Sequence, residues 1–557
     1  MAEPEPDPID RSFYAGRWIA TIRGQIIGHG GTPEQAIRAA KASRFKETPQ
    51  VLYVPTTSLI INHPILRRIA SILPHELPVF VVGGAVRNSF LDLPIHELDF
   101  AMPSDAIKTA RKVADQLGGA FYILDEDRDY GRVILYQADG ERLILDFAAF
   151  LGPNLDSDLK GRDFTINAMA VDVRRPGELL DPLGGSPDLF SKKLRACTPE
   201  AFIADPIRIL RGVRFAILLK LSIDPDTLKQ MRASVHLLPN ISAERIRDEI
   251  FKLLDCPRPA TSIRALEKLG AIPYTLPELA DLKDLSQPPP HVNDAWEHSL
   301  KVSNQLRDIF SALQSKYDPD SSANLSFGLI SLRLGRFREH LNDHWNEVLN
   351  PDRPLKSLLI LAALYHDVGK PQTEQIDQKG RIRFIEHEKI GSEIIALRAR
   401  ALQLSNPEIE RLSRIVLNHM RPIWLTQTAK MPSRRATFRF FRATGKAGVD
   451  VCMLSLADTL ATFGPTLPPD MWSHQIEVVR SLLEAWWENK EEMIYPQALV
   501  NGNDLMTELG LSPGPTIGQI LKKILEAQAS GEITNRRQAL ELASELLNES
   551  GLTGESN

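Results

Sequence analysis

The residues best suited to chemistry stand close together between positions 79 and 100 of the chain. An apolar run, Val79–Val82, predicts a buried strand, and the pair Gly83 and Gly84 ends it. Because glycine has no Cβ, the backbone there can turn sharply against a bound phosphate, toward which the amides of a following helix would point. Arg87 lies one turn into that helix, so we expect it to bind the same anion, a triphosphate.

A second strand follows this turn and carries two acidic residues. Alternation along the strand places Glu97 and Asp99 on one face and Leu98 on the opposite face. Two carboxylates on one strand face, opposite a glycine turn, predict a site for a divalent metal. Each signal alone has a plainer explanation, a tight turn for the glycines and a solvated strand face for the acids. Their order and spacing together favour the site.

Five motifs in this part of the chain resemble, in the same order, those of the class II tRNA nucleotidyltransferase and poly(A) polymerase family. The family pattern opens with a strand, GGxxRD and a strand bearing DxD, which the stretch just described resembles. Four later strings are similar to family motifs: RDFTINAMA at 162–170, DPLGG at 181–185, ADPIRILR at 204–211 and ISAERI at 241–246. The string GNDLMTELGLSPGP at 502–515 resembles the tail of the HD-containing bacterial, CCA-adding members.

The resemblance implies an α+β multidomain protein, with a polymerase-β-like nucleotidyltransferase head built on a mixed sheet, followed by all-α neck, HD and tail domains. It implies an enzyme that adds C, A or CCA to the 3′ end of tRNA without a template, using CTP, ATP and Mg²⁺. The implied catalytic residues are Glu97, Asp99 and, on a neighbouring strand, Asp146. The implied nucleotide-binding residues are Gly83, Gly84, Arg87, Arg162, Asp163, Asn167, Asp205, Arg208 and Arg211.

Two of these assignments have alternatives that the sequence leaves open. Asp146 is equally well explained as a solvated aspartate at a strand end. In the family, the Asp and Arg of EDxxR read the Watson–Crick edge of the incoming base, and Asp205 and Arg208 match them. The helical period of residues 199–254 predicts that these two lie at i and i+3 of one helix, within reach of one base edge. Without the resemblance, Asp-Pro followed by Arg is an ordinary helix start.

Four positions depart from the family pattern. Asn88 replaces the Asp of GGxxRD, Glu97 replaces the first Asp of DxD, and Ala204 replaces the Glu of EDxxR. The Arg usual near Leu151 is missing. Glu97 can still bind Mg²⁺, although its extra methylene moves the carboxylate by about one carbon–carbon bond in a geometry that tolerates little displacement.

We predict six segments along the chain. The first, 1–58, is a small ββαβ module with strands at 16–22 and 25–30, a turn at 23–24, a helix to residue 42 and a strand at 50–54. The others are a head at 59–190, a helical neck at 191–255, a stiff Pro-rich linker at 256–290, an HD domain at 291–470 with an insertion at about 315–354, and a helical RNA-binding tail at 471–557.

A second set of metal ligands is predicted in the HD domain. His298, the pair His366-Asp367 and the distant Asp458 resemble the pattern of HD-superfamily metal phosphohydrolases. His387 and His419 stand where two-metal members carry extra ligands. The resemblance implies Mn, Ni, Co, Zn or Mg, with a bound water that attacks a phosphoester. Any one of these histidines alone would be an ordinary core or surface residue.

Basic and aromatic residues interleave between positions 430 and 446. Guanidinium groups suit phosphates and ring faces suit unpaired bases, which makes this stretch a candidate RNA-binding helix. The candidate contacts are Arg434, Arg435, Arg439 and Arg442. A solvated helix with its apolar side turned inward explains the same pattern equally well.

Composition excludes few partners. The net charge of −5 does not indicate a nucleic-acid binder, but a local basic stripe would suffice for one. Three distant cysteines with no CxxC spacing favour neither a zinc knuckle nor disulfides, and fit a reducing cytoplasm. We expect a soluble protein, because the acidic, proline-rich start is unlike a signal peptide and no apolar run approaches a membrane span. The sequence does not indicate an oligomeric state.

Other functions remain open. CC-adding, A-adding and poly(A) enzymes share these head motifs with CCA-adding enzymes. A different class would be an HD phosphohydrolase whose transferase head has decayed into an RNA-binding module. A third would be an RNA-binding protein with both sites silent.

Overall fold

A computed structural model describes residue 14 and residues 17–22, 25–42, 47–54, 64–136, 142–314, 324–350, 353–428 and 430–549. It divides into two compact units, Met1–Ile241 and Ser242–Asn557. The first unit contains a large mixed sheet, and the second is almost entirely helical. This arrangement confirms the predicted fold class. The division between the units falls inside the segment that we predicted as one neck, 191–255.

The N-terminal module has the predicted ββαβ order. Strands β1 (Arg17–Ile22), β2 (Gln25–Gly30) and β3 (Gln50–Val54) form an antiparallel sheet in the order β2-β1-β3, and helix Pro33–Ala42 packs on it. The predicted turn at 23–24 lies outside the described residues. Rings from the module pack against rings from two head helices, with Tyr53 and Phe190 centroids 4.1 Å apart. The module is therefore seated on the head rather than tethered to it.

A seven-stranded sheet forms the head, in the order β10-β9-β4-β5-β8-β7-β6. Its strands are β4 (Phe80–Val82), β5 (Glu97–Met102), β6 (Ala120–Asp125), β7 (Tyr130–Tyr136), β8 (Arg142–Ala149), β9 (Ala170–Asp172) and β10 (Leu179–Leu180). Only the β5–β8 pair is parallel; the other neighbours in this sheet are antiparallel. The register of the parallel pair places Asp99 directly beside Asp146.

The alternation predicted for β5 is present. Leu98 and Phe100 are fully buried, and the Phe100 ring stacks on that of Phe147 with centroids 4.6 Å apart. Helix Ala106–Leu117 covers this side of the sheet with a row of buried small residues. Glu97 and Asp99 consequently lie on the other face, as predicted.

The helices of the first unit differ from the prediction at one functional position. They span Pro64–Ile72, Gly84–Phe90, Ala106–Leu117, Leu155–Lys160, Gly185–Phe190, Ala201–Ala204, Arg208–Leu218 and Pro225–Ser234. The single helix expected across Asp205 is wrong: Asp205 is extended, with φ −150° and ψ 95°, and Arg208 begins a new helix. The cause is Pro206, whose ring disfavours the helical conformation of the preceding residue.

The segment 256–290 is not a linker. It contains helices Pro259–Leu269 and Ile272–Thr275 and a 3₁₀ turn at Pro277–Leu282, within the second unit. Its leucines and isoleucines are buried, and Glu278 binds Arg398 and Tyr365 through side-chain hydrogen bonds. Pro259, Pro273 and Pro277 stand at helix starts, where the missing N–H costs nothing, whereas Pro288, Pro289 and Pro290 follow the 3₁₀ turn outside any helix. We had interpreted them as stiff coil.

The rest of the second unit is a helical bundle. Its longer helices span Ala243–Leu254, Ala295–Ala312, Leu325–Leu334, Arg338–Trp345, Leu355–Tyr365, His387–Ala401, Asn406–Asn418, Arg434–Thr444, Ala447–Phe463, Pro469–Trp487, Gly502–Leu509, Pro515–Ala529 and Arg536–Glu549. The predicted insertion is helical between Leu325 and Trp345 and ends in a short antiparallel strand pair, Val348–Asn350 and Arg353–Pro354; residues 315–323 and 351–352 lie outside the described part. Its Trp345 is fully buried and its His344 bonds to the buried Asp450 at 2.7 Å, so the insertion belongs to the packed core.

One helix among the described residues has the length and apolarity of a membrane span. Residues Ala447–Thr466 have a mean hydropathy of 1.2, a run that the sequence analysis did not expect. However, 89% of that window is buried inside the protein. Burial of this kind is typical of a central core helix.

A buried ion pair provides a test of the packing in the second unit. Arg353 donates to both oxygens of Glu408 at 2.7 and 2.9 Å, and both side chains are almost fully buried. Replacing Glu408 by Ala leaves the guanidinium buried without its counter-ion, and we expect a loss of about 3–5 kcal/mol in the free energy of unfolding. Urea unfolding followed by circular dichroism measures it.

The same helix offers a matched control. Glu410 pairs with Arg414 at the surface, so Glu410→Ala should change the free energy of unfolding by less than about 1 kcal/mol. Equal effects of the two variants would contradict the assigned burial.

Candidate functional site

The glycine turn in the head brings a cation and a carboxylate to one point. Gly83 has φ +75°, which favours glycine, and a Cβ placed there would lie 3.1 Å from both Arg162 Nη1 and Asp99 Oδ2. The register of β4 and β5 pairs Val82 with Asp99. The predicted turn and the predicted metal ligand therefore meet, and the Arg162 guanidinium lies at the same point.

The two acids of β5 differ in environment. The side chain of Glu97 is 57% exposed, whereas Asp99 is largely enclosed. Burial raises the pKa of Asp99 to about 6, against the influence of Arg162, and the nearby charges of Asp146 and Glu97 raise it further. Carboxylate oxygens are the ligands that Mg²⁺ prefers, and a third negative charge nearby adds to the attraction. Glu97 and Asp99 therefore fit a Mg²⁺ site.

Asp146 lies beside Asp99 as predicted, but its oxygens are already engaged. Arg132 donates to both of them at 2.7 Å, and the Tyr130 hydroxyl donates to Oδ2 at 2.7 Å. The carboxylate is 4% exposed, so the alternative of a solvated aspartate is wrong, and the catalytic role of Asp146 stays a prediction. Arg132 Nη2 also lies 3.7 Å from Glu97, which links Asp146 to the metal-ligand face.

Arg87 is held by amides. Its Nε and Nη2 donate to Asn88 Oδ1 at 3.1 and 2.8 Å, and its Nη1 donates to Asn167 Oδ1 at 2.5 Å. Asn88 thus keeps the acceptor that the family's Asp would supply, without its charge. Burial lowers the pKa of Arg87 to about 10, helped by repulsion from Arg214 and Arg211. The guanidinium remains charged at neutral pH.

Asp163 joins the head to helix Arg208–Leu218. Its carboxylate accepts from the Phe164 N–H at 2.8 Å, from Asn167 Nδ2 at 3.0 Å and from Arg211 Nε at 2.8 Å. Burial opposes ionisation, but Arg211 and these hydrogen bonds hold the pKa of Asp163 below its usual range. Asp163 is therefore a fixed anion that orients two predicted nucleotide-binding residues.

The predicted base readers are close in space. Arg208 donates from Nη1 to the Arg162 carbonyl at 3.1 Å and from Nη2 to the Gly161 carbonyl at 2.6 Å. Arg162 is held by Asp158 at 3.1 Å. Each terminal nitrogen of Arg208 keeps a second N–H, since a guanidinium has five donors. Arg208 can therefore contact a base edge while it stays anchored.

The DPLGG and DL motifs act as scaffold in the structure. Asp181 accepts from the Gly185 and Ser186 N–H groups at 2.6 and 2.8 Å, which fixes the start of the helix at Gly185. Asp188 accepts from Thr165 Oγ1 at 2.7 Å and from Arg195 Nε at 2.8 Å. The bond from Thr165, which lies in the RDFTINAMA segment, holds that segment against the helix that begins at Gly185.

The HD ligands converge in the second unit. His298 and Asp458 are buried within helices Ala295–Ala312 and Ala447–Phe463. His366 and Asp367 directly follow helix Leu355–Tyr365. His387 is the first residue of helix His387–Ala401, and His419 directly follows helix Asn406–Asn418. Gly369 permits the convergence, because a Cβ there would lie 2.2 Å from the His387 carbonyl oxygen. All six predicted ligands are buried.

Asp367 stands between two ligand groups. Its Oδ2 lies 3.1 Å from His366 Nε2 and 3.6 Å from His298 Nε2. Its Oδ1 lies 3.3 Å from His387 Nε2 and 3.8 Å from His419 Nε2. Asp458 lies 3.1 Å from His298 Nε2 on the first side. Asp367 is therefore common to two groups of ligands that could hold a metal, one with His298 and His366 and the other with His387 and His419.

Hydrogen bonds prepare the histidines for ligation. The Nδ1 atoms of His366, His387 and His419 lie 2.7, 2.9 and 2.7 Å from backbone carbonyls, which assigns the proton to Nδ1 and leaves Nε2 free to bind a metal. The Nε2 atoms of His387 and His419 are only 3.2 Å apart, an arrangement of two lone pairs that a cation would stabilise. Within the described residues, the buried Nε2 atoms of His298 and His366 have no hydrogen-bond partner. The residues fit a metal pair.

A cavity of about 480 Å³ opens onto these ligands. Asp367, His387 and Asp458 line one side, and Lys370 and Arg383 supply positive charge. Phe384, Ile423 and Phe463 make another part of the wall apolar. The cavity can therefore take a phosphoester with a planar or apolar group attached.

Most arginines of the candidate RNA-binding helix form ion pairs with glutamates of the same chain. Arg434 binds Glu492 at 2.6 Å, Arg439 binds Glu526 at 2.6 Å, and Arg435 binds Glu532. Its phenylalanines at 438, 440 and 441 are buried. The alternative from the sequence, a helix with its apolar side inward, is the arrangement in the structure, and Arg442 is exposed.

Several residues of these sites were missed by the sequence analysis. Arg132 and Tyr130 reach Asp146 only through the strand register, which the sequence does not reveal. Arg214 and Phe215 had a signal, because the string RILRGVRF repeats basic residues every three positions along one helix. His291, whose ring meets that of His298 edge-on at 4.9 Å, had none.

Five family models match parts of the chain. The Poly A polymerase head domain matches residues 79–195 and the HD domain matches 295–462. The probable RNA and SrmB-binding site of polymerase A matches 220–283, the putative tRNA nucleotidyltransferase domain 2 matches 489–543, and a family of unknown function matches 12–57.

A curated relative decides the family. The A-adding tRNA nucleotidyltransferase of Deinococcus radiodurans is 33% identical over 483 residues, which cover 85% of this chain and 96% of that protein. The chain belongs to the tRNA nucleotidyltransferase and poly(A) polymerase family. The CC-adding tRNA nucleotidyltransferase of Thermus thermophilus is 32% identical over 469 residues, 83% of this chain and 92% of that protein. Membership confirms the resemblance and makes the chain a nucleotidyltransferase.

Solved structures of family members share the fold. A CCA-adding enzyme in an apo form aligns with a TM-score of 0.54 and 19% identity, over 89% of this chain and 96% of that one. A CCA-adding enzyme in complex with ATP aligns with a TM-score of 0.53 and 20% identity, over 87% and 94%. At this identity the likeness concerns the fold of the family.

The raised pKa of Asp99 predicts how Mg²⁺ binding depends on pH. The carboxylate binds the ion only after it loses its proton, so affinity falls as pH decreases through the pKa of about 6. Calorimetry should show a loss of about tenfold in Mg²⁺ affinity per pH unit below 6 and little change above about 7.

Two variants separate this site from others. The isotherm of Asp99→Asn reports the remaining sites and is subtracted, and Asp115→Asn, at an exposed position in helix Ala106–Leu117, should behave as wild type. An affinity that is flat between pH 5 and 7 would refute the assignment.

Proposed function

We propose that the head transfers nucleotides from CTP and ATP to the 3′ end of tRNA, completing CCA without a nucleic-acid template. The observation that carries this proposal is the meeting of Asp99 and Arg162 at the Gly83 turn, where a metal ligand and a cation face the place of a phosphate. The relatives named above add A or CC to tRNA, which supports tRNA as substrate and leaves the division between C and A to experiment.

The chain's own groups account for most of the chemistry. Glu97 and Asp99 hold Mg²⁺, which supplies Lewis acidity at the reacting phosphate when bound. Arg87 and Arg162 bind the triphosphate, and the glycine turn lets the backbone approach it. Asp205 and Arg208 read the base edge from the junction of two helices.

Asp146 has a positioning role in this proposal. It holds Arg132 through two hydrogen bonds, and Arg132 in turn lies near Glu97. An arginine fixed there balances the negative charge of the metal-ligand face without entering the metal site. The sequence predicts a catalytic residue at this position, and the proposal gives Asp146 a positioning role instead.

Extension of tRNA tests the transferase. With tRNA lacking CCA, labelled CTP or ATP and Mg²⁺, we expect extension by wild type and a loss on the order of 100-fold or more for Asp99→Asn, which loses a metal ligand. Asp115→Asn is the control. Sequencing the product ends with each nucleotide supplied separately distinguishes CCA, CC, A and poly(A) addition, and no extension by wild type with either nucleotide sinks the proposal.

We propose a second activity in the HD domain, a metal-dependent phosphohydrolase that acts on a phosphate at an RNA 3′ end. Six buried candidate ligands support it, with Asp367 common to both ligand groups. Imidazole-rich ligation favours Mn, Ni, Co or Zn over Mg. The ion supplies a nucleophilic water when bound, while Lys370 and Arg383 at the cavity neutralise the phosphate.

This activity would prepare the substrate of the head, because a terminal phosphate blocks the hydroxyl that must attack the nucleotide. The test substrate is tRNA ending in a 2′,3′-cyclic phosphate, with added Mn²⁺ or Ni²⁺. We expect wild type to open and release the phosphate and His366→Ala to lose at least 100-fold, since one of the ligands is gone.

The same two variants decide between the proposed function and its rival, an HD phosphohydrolase whose transferase head has become an RNA-binding module. If Asp99→Asn abolishes extension but not phosphate release, and His366→Ala does the reverse, both sites are active. If only phosphate release exists, and it survives Asp99→Asn, the head is an RNA-binding module and the rival is right. Three free cysteines fit the cytoplasmic location that these substrates require.

A further inference from the structure

Four aromatic rings join the N-terminal module to the head. The Tyr53 ring of β3 has its centroid 4.1 Å from that of Phe190 and 5.8 Å from that of Phe90, and these two head rings lie 5.9 Å from each other. Trp18 of β1 is fully buried and meets Phe190 edge-on at 5.5 Å. Tilted and edge-to-face ring pairs at such distances add stability beyond the area they bury. We call these four residues the aromatic cluster.

The two head rings of the cluster end two short helices beside the nucleotide site. Phe90 is the last residue of helix Gly84–Phe90, which begins at the glycine turn and carries Arg87. Phe190 is the last residue of helix Gly185–Phe190. These helices have only seven and six residues. Because helices shorter than about 12 residues are marginal in water by themselves, their orientation depends on what packs against them.

The same two helices are joined a second time, at the site itself. The 3₁₀ turn that contains Thr165 and Asn167 contacts both of them. Arg87 Nη1 donates to Asn167 Oδ1 at 2.5 Å, and Thr165 Oγ1 donates to Asp188 Oδ2 at 2.7 Å. Gly185 permits this approach, because a Cβ there would lie 2.0 Å from the Thr165 carbonyl oxygen.

These contacts form a closed loop of packed elements. The aromatic cluster connects the two helices at their last residues, and the 3₁₀ turn connects them again near Arg87 and Asp188. A change in the angle between the helices at the cluster must therefore shift Arg87 or strain its bond to Asn167. The N-terminal module reaches this loop through Tyr53 and Trp18, although neither residue lies in the head.

We propose that the N-terminal module is a positioning element of the nucleotide site, in which the Tyr53 ring fixes the angle between the two helices and thereby holds Arg87 at the triphosphate. Tyr53 is a positioning residue, since it acts through Phe90 and Phe190. The inference rests on the proposed transferase function of the head. It goes beyond that function by giving the N-terminal module a part in nucleotide binding.

Positioning must be separated from plain stabilisation of the fold. If the cluster only stabilises the head, loss of the Tyr53 ring lowers the fraction of folded enzyme, which lowers the apparent kcat and leaves KM unchanged. If the cluster positions Arg87, the folded enzyme itself binds the triphosphate more weakly. Arg87 contacts the triphosphate before and during the reaction, so KM rises and kcat changes little.

The experiment compares two substitutions of Tyr53 in the full-length protein. Tyr53→Leu removes the ring, and we expect the KM for the nucleotide that wild type uses to rise by about tenfold, with kcat changed by less than about twofold. Tyr53→Phe keeps the ring and should leave KM within about twofold of wild type. If Tyr53→Leu does not fold, Phe190→Leu removes the other ring of the 4.1 Å pair and should give the same rise in KM.

Leu52 offers a matched control in the same strand. It precedes Tyr53 in β3, is 39% exposed and, by the alternation of a strand, lies on the opposite face from the Tyr53 ring. Leu52→Ala should leave both KM and kcat unchanged. A rise in KM equal to that of Tyr53→Leu would overturn the inference, because it would show a general response to damage in the module.

A double variant tests whether the rings act together. Residues in contact that act through one element show non-additive effects. We therefore expect the variant that combines Tyr53→Leu with Phe190→Leu to raise KM by less than the product of the two single effects. A rise equal to that product would show independent actions and would overturn the inference.

Binding of inorganic pyrophosphate with Mg²⁺, measured by calorimetry, gives a readout without turnover. Tyr53→Leu should weaken this binding by about tenfold, as it does the KM, whereas Tyr53→Phe and Leu52→Ala should not. Equal binding by Tyr53→Leu and wild type would overturn the inference, because Arg87 would then hold the phosphates without the ring.

The outcomes separate this inference from the proposed function. A lower kcat with unchanged KM in Tyr53→Leu overturns the inference alone, and so do equal effects of Tyr53→Leu and Tyr53→Phe. A wild type that binds pyrophosphate but transfers no nucleotide removes the transferase proposal, while weaker pyrophosphate binding by Tyr53→Leu still supports positioning. A wild type that binds neither nucleotide nor pyrophosphate overturns both.

Discussion

The buried carboxylate of Asp163 is the interaction on which the head site depends. It accepts hydrogen bonds from the Phe164 backbone, from Asn167 and from Arg211, and these offset the free-energy cost of burying a charge. Asn167 in turn accepts from Arg87 at 2.5 Å. One anion thereby sets the positions of two arginines that come from helices more than a hundred residues apart in sequence. In the proposed function, the arginines that bind the phosphate are positioned by a carboxylate that does not contact it.

Asp367, which the HD ligands of the second unit surround, has neighbours of a different kind from those of Asp163. Asp163 has donors on both oxygens, whereas the Nε2 atoms of four histidines lie 3.1–3.8 Å from the Asp367 carboxylate oxygens. Such a group is not satisfied by the protein alone. Lys370 contacts it at 2.6 Å and supplies one positive charge, but two ligand groups remain on either side. Asp163 therefore acts as a scaffold, whereas the ligand groups that share Asp367 fit the metal site that we propose.

Prediction from the sequence succeeded where chemistry is local along the chain. The turn at Gly83, the alternation of Glu97 and Asp99 and the pairing of His366 with Asp367 depend on spacings of one to four residues, which strand and helix periods translate directly into geometry. Prediction from the sequence failed where the rule that prolines mark coil was applied too widely. The prolines of 256–290 suggested coil, but proline at a helix start is compatible with packing, and buried leucines decided the outcome up to Leu282.

By itself, the sequence determined the family, the order of its motifs and the identity of nearly every candidate ligand, because these follow from residue types at short spacing. Only the tertiary structure decided what each charged group does. It paired Asp146 with Arg132, closed Arg434 and Arg439 onto glutamates some sixty to ninety residues away, and placed the Tyr53 ring against those of Phe90 and Phe190. The physical reason is that a charge acts on whatever lies within a few ångströms of it. That neighbourhood is set by strand register and helix packing, which join residues that are distant in sequence.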